Sequence, residues 1–365
     1  MTGVEVHGTA DPRFEGVRLA MEKNVVEGGD LGACAAVVYE GRVVADLWVG
    51  ARTADGTRPW ERDTIVNLWS TTKTVAALVV LMLHDRGALD IESPIASVWP
   101  EFAAAGKDRV RIRHALSHTA GLHEFVPPLG RDVMFDWDAC CGRLAAQRPA
   151  AAPGAMFAYH AFTQGFLLGE VVRRVTGVTM GDWLRQEITG PHDVDFHLGV
   201  PAAAIGRVAE TVTDAMPALA GPDRLDDVNT DRWRRAEFPS SNGHGNARSV
   251  ARLLSMLTRR PALAADPVTE TTIGRVRQRQ WDGPCPVLGR HVTMGVGYGL
   301  SSAHTPLGVN EDTLWWGGLG GSMAVVDLVT DLVVVYAMNR MFDGPVGGLR
   351  GFRVVHAAHD ALRPR

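Results

Sequence analysis

The chain has 365 residues, 46% of them hydrophobic and 21% charged, with a formal net charge of −4. That is ample apolar material for a large core. The charge balance excludes a nucleic-acid surface, because Arg234-Arg235 and Arg259-Arg260 are isolated pairs and not a basic stripe, and no run of 18 apolar residues offers a membrane span.

The segment Met1 to His7 lacks both a basic and an apolar leader region, so the expected location is cytoplasmic. Ala35 to Tyr39 and Val43 to Val49 flank Glu40-Gly41 and read as a β-hairpin. Next comes Leu68-Trp69-Ser70-Thr71-Thr72-Lys73-Thr74-Val75, leading into nine consecutive apolar residues, Val75 to Leu83. A helix that is apolar all round is a buried one, and this one should end near Gly87. Roughly Lys107 to Arg260 shows helical patterns separated by Pro- and Gly-rich loops, including Phe162 to Val175 and Ala247 to Leu257, the latter capped by Asn246. Met323 to Leu328 and Leu332 to Met338 are β-rich runs joined at Thr330-Asp331. A last helix spans about Leu349 to Leu362, with Phe352, Val355 and Ala358 on one face. Strands at both ends with helices between imply one sheet assembled from both termini. Residues 262–290 and Pro201 to Glu237 carry little readable pattern.

The four cysteines, Cys34, Cys140, Cys141 and Cys285, lack metal-ligand spacing and read as buried free thiols. His123-Glu124 begins like a zinc-protease motif, but Pro127 stands where the second histidine would be. No metal and no cofactor are expected.

The chemistry concentrates at Ser70 and Lys73. Residues three apart share a helix face, so the amine can reach the hydroxyl. Burial disfavours the ammonium and turns a lysine into a usable base. Serine needs such a base, together with an oxyanion site, to attack a carbonyl. Tyr159 lies in the loop Pro153 to Ala161 and can relay protons beside a lysine. Leu314-Trp315-Trp316-Gly317-Gly318-Leu319-Gly320-Gly321-Ser322 lets a substrate lie against the backbone. Arg113 to Leu122, dense in polar groups, reads as a loop pinned by its own hydrogen bonds.

The ordered set S-x-x-K, L-S-H-T-A-G-L, P-G-x-x-F-x-Y and W-G-G-x-G-G-S resembles the serine β-lactamase and penicillin-binding protein superfamily. The likeness is to its class C-like branch, with family VIII carboxylesterases and related acyltransferases. The resemblance implies an α/β (α+β) β-lactamase/transpeptidase-like fold: an antiparallel sheet flanked by helices, one catalytic domain over 1–365, with a mostly helical subdomain inserted at about 107–260. It implies Ser70 as acylated nucleophile, Lys73 as base and Tyr159 as the tyrosine of Y-x-N. The backbone N–H groups of Ser70 and Leu319 would form the oxyanion hole, and Trp316, Gly317, Gly318 and Ala161 would border the substrate.

Two departures bear on the substrate. Ala161 replaces the asparagine of Y-x-N, and Trp316 replaces the cation of the third motif. A tryptophan offers an apolar face and one donor, which points to a neutral ester as acyl donor and away from β-lactams. The expected activity is hydrolysis of carboxylic esters. Transfer of the acyl group to an amine or alcohol is the alternative, with β-lactamase and D-aminopeptidase activity behind both. A non-catalytic binding module is the reading that intact Ser70, Lys73 and Tyr159 oppose.

Overall fold

The structure, a computed structural model, describes residues 4–213, 227–307, 310–342 and 348–363. The reading of Pro201 to Glu237 as patternless falls partly outside these residues. Nine strands form one antiparallel sheet: β1 His7–Ala10, β2 Gly32–Tyr39, β3 Arg42–Gly50, β4 Trp281–Cys285, β5 Arg290–Met294, β6 Gly299–Leu300, β7 Thr313–Gly317, β8 Met323–Asp327 and β9 Leu332–Met338. Their order is β1-β3-β2-β9-β8-β7-β6-β5-β4, so β2 from the first 50 residues pairs with β9 from the last 40. The expected sheet built from both termini is present.

The β2–β3 hairpin turns at Glu40 and Gly41, both at positive φ (47° and 77°), the backbone that matches the twist of paired strands. Strand β2 is buried on both faces. Ala33, Ala35 and Val37 meet α1 (Glu15–Val26) and the C-terminal helix, while Cys34, Ala36 and Val38 join the cluster around α2 (Thr72–Asp85). Near-continuous apolar composition is what a strand covered on both faces requires.

Helix α2 is buried from Thr72 to Leu83, as its apolar run demands. Helix α3 (Thr163–Thr176) ends at Gly177 in the left-handed conformation (φ 80°). Helix α4 (Ala247–Leu254) is capped by Asn246, whose side chain accepts from the Ser249 N–H at 2.9 Å. Helix α5 (Gly348–Asp360) packs its expected face on the sheet. Val354, Val355 and Ala358 are buried as a stripe, but Phe352 is only partly covered. The centre of that face is Gly351, where an added Cβ would lie 3.1 Å from the Met323 Cβ, so close approach of helix to sheet turns Phe352 to the edge.

The stretch 262–290 holds a helix, Glu270–Val276, and strand β4. Strand β4 contains Gly283 and Pro284 and is the outermost strand of the sheet, where a residue without an N–H is tolerated. All four cysteines are buried and free. Among the described residues no helix is long and apolar enough to cross a membrane.

Candidate active site

Ser70 sits in the single 3-10 turn Trp69–Thr71 that feeds directly into α2. The first N–H groups of a helix have no intrahelical acceptor and carry its positive dipole end, so the local field favours negative charge near Ser70. Trp69 adopts φ 49°, a left-handed conformation that costs a non-glycine residue about 1–3 kcal/mol. It is held there by packing, with its ring tilted against Trp233 at 5.9 Å.

Several contacts fix this turn from outside. Ser322 Oγ donates to the Leu68 carbonyl at 2.8 Å and lies 2.9 Å from Thr71 Oγ1. The Leu68 N–H donates to the Gly243 carbonyl, and the Gly243 N–H donates to Thr72 Oγ1, each at 2.9 Å. Val66–Asn67 pairs with His244–Gly245 in a small separate sheet, so the 240s and the loop after β7 grip the turn from two sides.

Lys73 lies one turn along α2, buried, with its Nζ 3.2 Å from Ser70 Oγ. The same Nζ donates to the Ala161 carbonyl at 2.8 Å and the Ser240 carbonyl at 2.7 Å. Burial pushes the Lys73 ammonium well below the usual lysine range. A neutral amine has two N–H bonds and one lone pair. With both hydrogens on the two carbonyls, the lone pair is left for the Ser70 hydroxyl proton.

Tyr159 stacks its ring under the amine, 4.9 Å from Nζ to the ring centroid. Burial pushes its phenol up to about 12, against the pull of the Ser70 hydroxyl, the Trp316 indole and the Arg290 guanidinium. The phenol is therefore a proton donor at neutral pH. Although it faces Ser70 and Trp316, its Oη forms no hydrogen bond of good geometry among the described residues, and neither does Trp316 Nε1.

Trp316 is buried in β7, tilted against Tyr159 at 5.5 Å and stacked with His118 at 5.8 Å. Gly317 ends the strand, and Gly318 abuts the Ser70 turn: an added Cβ there would lie 2.5 Å from the Leu68 carbonyl oxygen and 3.1 Å from the Trp69 Cβ. Leu319 opens the 3-10 turn Leu319–Gly321, the position at which an N–H lacks an intrahelical acceptor. Lys73, Tyr159, Trp316, Ala161 and Gly318 are thus brought together around the Ser70 turn, and Gly317 and Leu319 flank Gly318 in the chain. Ala161 takes part through its carbonyl.

The Arg113–Leu122 run does pin loops. The His118 Nδ1 accepts from the His160 N–H at 3.1 Å, and His160 Nε2 accepts from the Leu122 N–H at 3.2 Å. Burial drives His118 well below the usual histidine range and His160 down to about 3, so both rings are neutral. Sequence pattern marks Ser240 to His244 as polar enough to line a cleft, but not the Ser240 carbonyl as a partner of Lys73, and Arg290 lies in the stretch without readable pattern. A concavity of about 910 Å³ lies elsewhere; two of its arginines are paired, Arg207 with Asp195 and Arg248 with Asp46.

A beta-lactamase family model matches residues 20–359. The chain belongs to the beta-lactamase family. Within that family it is similar to the esterase/beta-lactamase LipL of Mycobacterium tuberculosis, with 32% identity over 93% of this chain and 84% of LipL. It is similar in structure to a family VIII carboxylesterase, with 35% identity, a TM-score of 0.91 and coverage of 98% of this chain and 100% of the other. A shorter match links it to the monacolin J acid methylbutanoyltransferase of Aspergillus terreus, 29% identical over 156 residues, 36% of this chain and 37% of that enzyme. The fold expected of a beta-lactamase family member is the one observed.

Proposed function

We propose that the chain is a serine ester hydrolase that works through an acyl-enzyme on Ser70. The observation that carries this is the Lys73 amine, stripped of water and held by two carbonyls at 2.8 and 2.7 Å with Ser70 Oγ at 3.2 Å. As Ser70 Oγ attacks the ester carbonyl carbon, its proton passes to Lys73 Nζ. The resulting oxyanion lies against the N–H groups of Ser70 and Leu319. Collapse breaks the bond to the leaving alcohol, which takes a proton from Tyr159 Oη or from Lys73. Water then attacks the acyl-enzyme and releases the acid.

The acyl donor is a small neutral ester. Trp316 supplies an apolar face where the third motif of β-lactamases holds a cation. A cavity of about 150 Å³ is lined by Leu129, Met134, Phe135, Phe162, Trp233 and Phe238 together with the Arg131–Asp227 ion pair; Phe162 follows Ala161 in the chain, and Trp233 packs on Trp69. A cavity of this size with an aromatic wall suits a short acyl group. The mostly helical part, about 107–260, supplies these walls. A cytoplasmic setting accords with four free thiols.

Acyl transfer to an amine or alcohol is the second reading, favoured by the stretch shared with a methylbutanoyltransferase. Turnover of a short p-nitrophenyl ester with and without a panel of amines and alcohols tests both. Free acid in all reactions supports hydrolysis, acceptor-dependent amide or ester product supports transfer, and no turnover of any ester refutes the proposal.

A further inference from the structure

The glycine-rich turn that follows β7 is soft by composition. Gly320 and Gly321 adopt φ 80° and 125°, and glycine gives up more freedom than any other residue when fixed. Within the turn, the Gly318 N–H donates to the Ser322 carbonyl at 2.8 Å and the Gly321 N–H to the Gly318 carbonyl at 3.2 Å. From outside, a guanidinium reaches in. Arg350 on α5 is buried, and its Nη2 donates to the Gly320 carbonyl at 2.9 Å and the Arg340 carbonyl at 3.0 Å. Its Nη1 donates to Asp30 Oδ1, and Asp30 Oδ2 accepts from the Tyr336 hydroxyl at 2.5 Å. The Phe342 ring covers the guanidinium at 4.0 Å.

A fully buried ion pair is a poor way to gain stability, because desolvation cancels much of the attraction. What this pair does hold is geometry. Asp30 comes from the segment before β2, Tyr336 from β9 and Arg350 from α5, and together they aim one planar donor at the carbonyl one residue past Leu319. On the other side, Ser322 ties the same turn to Leu68 and so to Ser70.

We propose that Arg350, held by Asp30, is a positioning residue for the Leu319–Gly321 turn and thereby sets the oxyanion hole. This rests on the reading of Ser70 and Leu319 given above. Arg350 touches no reacting atom. It fixes the distance between two backbone donors that sit on separate elements.

The test uses the full chain, the variants Arg350→Ala, Arg350→Lys and Asp30→Asn, and two substrates: p-nitrophenyl acetate and its thionoester, in which sulfur replaces the carbonyl oxygen. A hole fitted to oxygen handles the larger, weakly accepting sulfur poorly, so the ester-to-thionoester ratio reports on the hole itself. Arg350→Ala should lower kcat on the ester about 10²-fold, the cost of displacing one oxyanion donor, with KM within about twofold and the ratio flattened. Arg350→Lys, which keeps a donor, should recover part of both. Should Arg350→Ala fail to fold, Asp30→Asn keeps the shape and loses the charge that orients the guanidinium, and it should move kcat and the ratio in the same direction. Folded variants with kcat and ratio unchanged, and Ser70 still acylated, would overturn the inference alone. A wild-type enzyme that never acylates Ser70 would instead overturn the reading beneath it.

Discussion

Replacing Lys73 with Met removes the amine and keeps most of the side-chain volume. Two effects on stability then oppose one another. The Ala161 and Ser240 carbonyls lose their donor, and each buried unsatisfied acceptor costs about 1–3 kcal/mol. Against that, the chain no longer has to desolvate an ammonium, whose burial is costly in its own right. The net change should be about 2 kcal/mol or less in either direction, and the variant should fold. Activity behaves differently. A positioned general base contributes about 10²–10⁴ in rate, so the acylation barrier should rise by about 3–5 kcal/mol. Stopped-flow release of p-nitrophenol from a short ester reads acylation directly, and circular dichroism reports the fold. The pH dependence has a definite sign. Burial lowers the Lys73 pKa in the folded chain, so between that lowered value and the unfolded value of about 10.4 the unfolded chain binds more protons. Stability therefore rises with pH across that window, and acylation rises through the lowered pKa and then levels. Lys73→Met should lose both slopes. A folded Lys73→Met enzyme with a wild-type acylation rate would refute the base assignment.

Trp316→Lys restores a cation beside Tyr159 and should raise kcat/KM for esters bearing a carboxylate relative to neutral ones; an unchanged ratio would count against the substrate argument. Phe135→Ala removes part of the wall between the aromatic cavity and a neighbouring one of about 280 Å³ that it also lines. The preferred acyl length in a p-nitrophenyl ester series should shift upward by several carbons, while a fixed preference would show that this cavity does not take the acyl group. Ser322→Ala strips Leu68 and Thr71 of their shared hydroxyl and should cost about 1–3 kcal/mol in urea unfolding, together with slower acylation. Stability equal to wild type would mean that the Ser70 turn holds itself.

Much of this organisation was legible from residue pattern alone. The apolar run Val75–Leu83 can only be a buried helix, and Glu40-Gly41 between two β-rich runs can only be a tight hairpin. The Ser70–Lys73 pair, Tyr159 and Trp316 are far apart in sequence, and their order is what made them readable as one constellation. What escaped has physical reasons. Strand β4 hides because Gly283 and Pro284 are tolerable only at a sheet edge, and edges are a property of the assembled sheet. Strand β1 is four residues long and gives no period. The Ser240 carbonyl and the Arg350–Asp30 pair act through backbone groups or through contacts 320 residues apart in sequence, which no local pattern encodes. Helical spacing placed Phe352, Val355 and Ala358 on one face, and all three pack on the same core, though only pattern plus the close approach at Gly351 explains why Phe352 stays at its rim.

The central claim is a covalent acyl group on Ser70. Incubation with a short p-nitrophenyl ester, quenching in acid within the burst phase and peptide mapping by mass spectrometry test it directly. An acyl adduct is expected on the peptide containing Ser70, absent from a folded Ser70→Ala variant that also lacks turnover. An adduct on another residue, or undiminished turnover by Ser70→Ala, would contradict it.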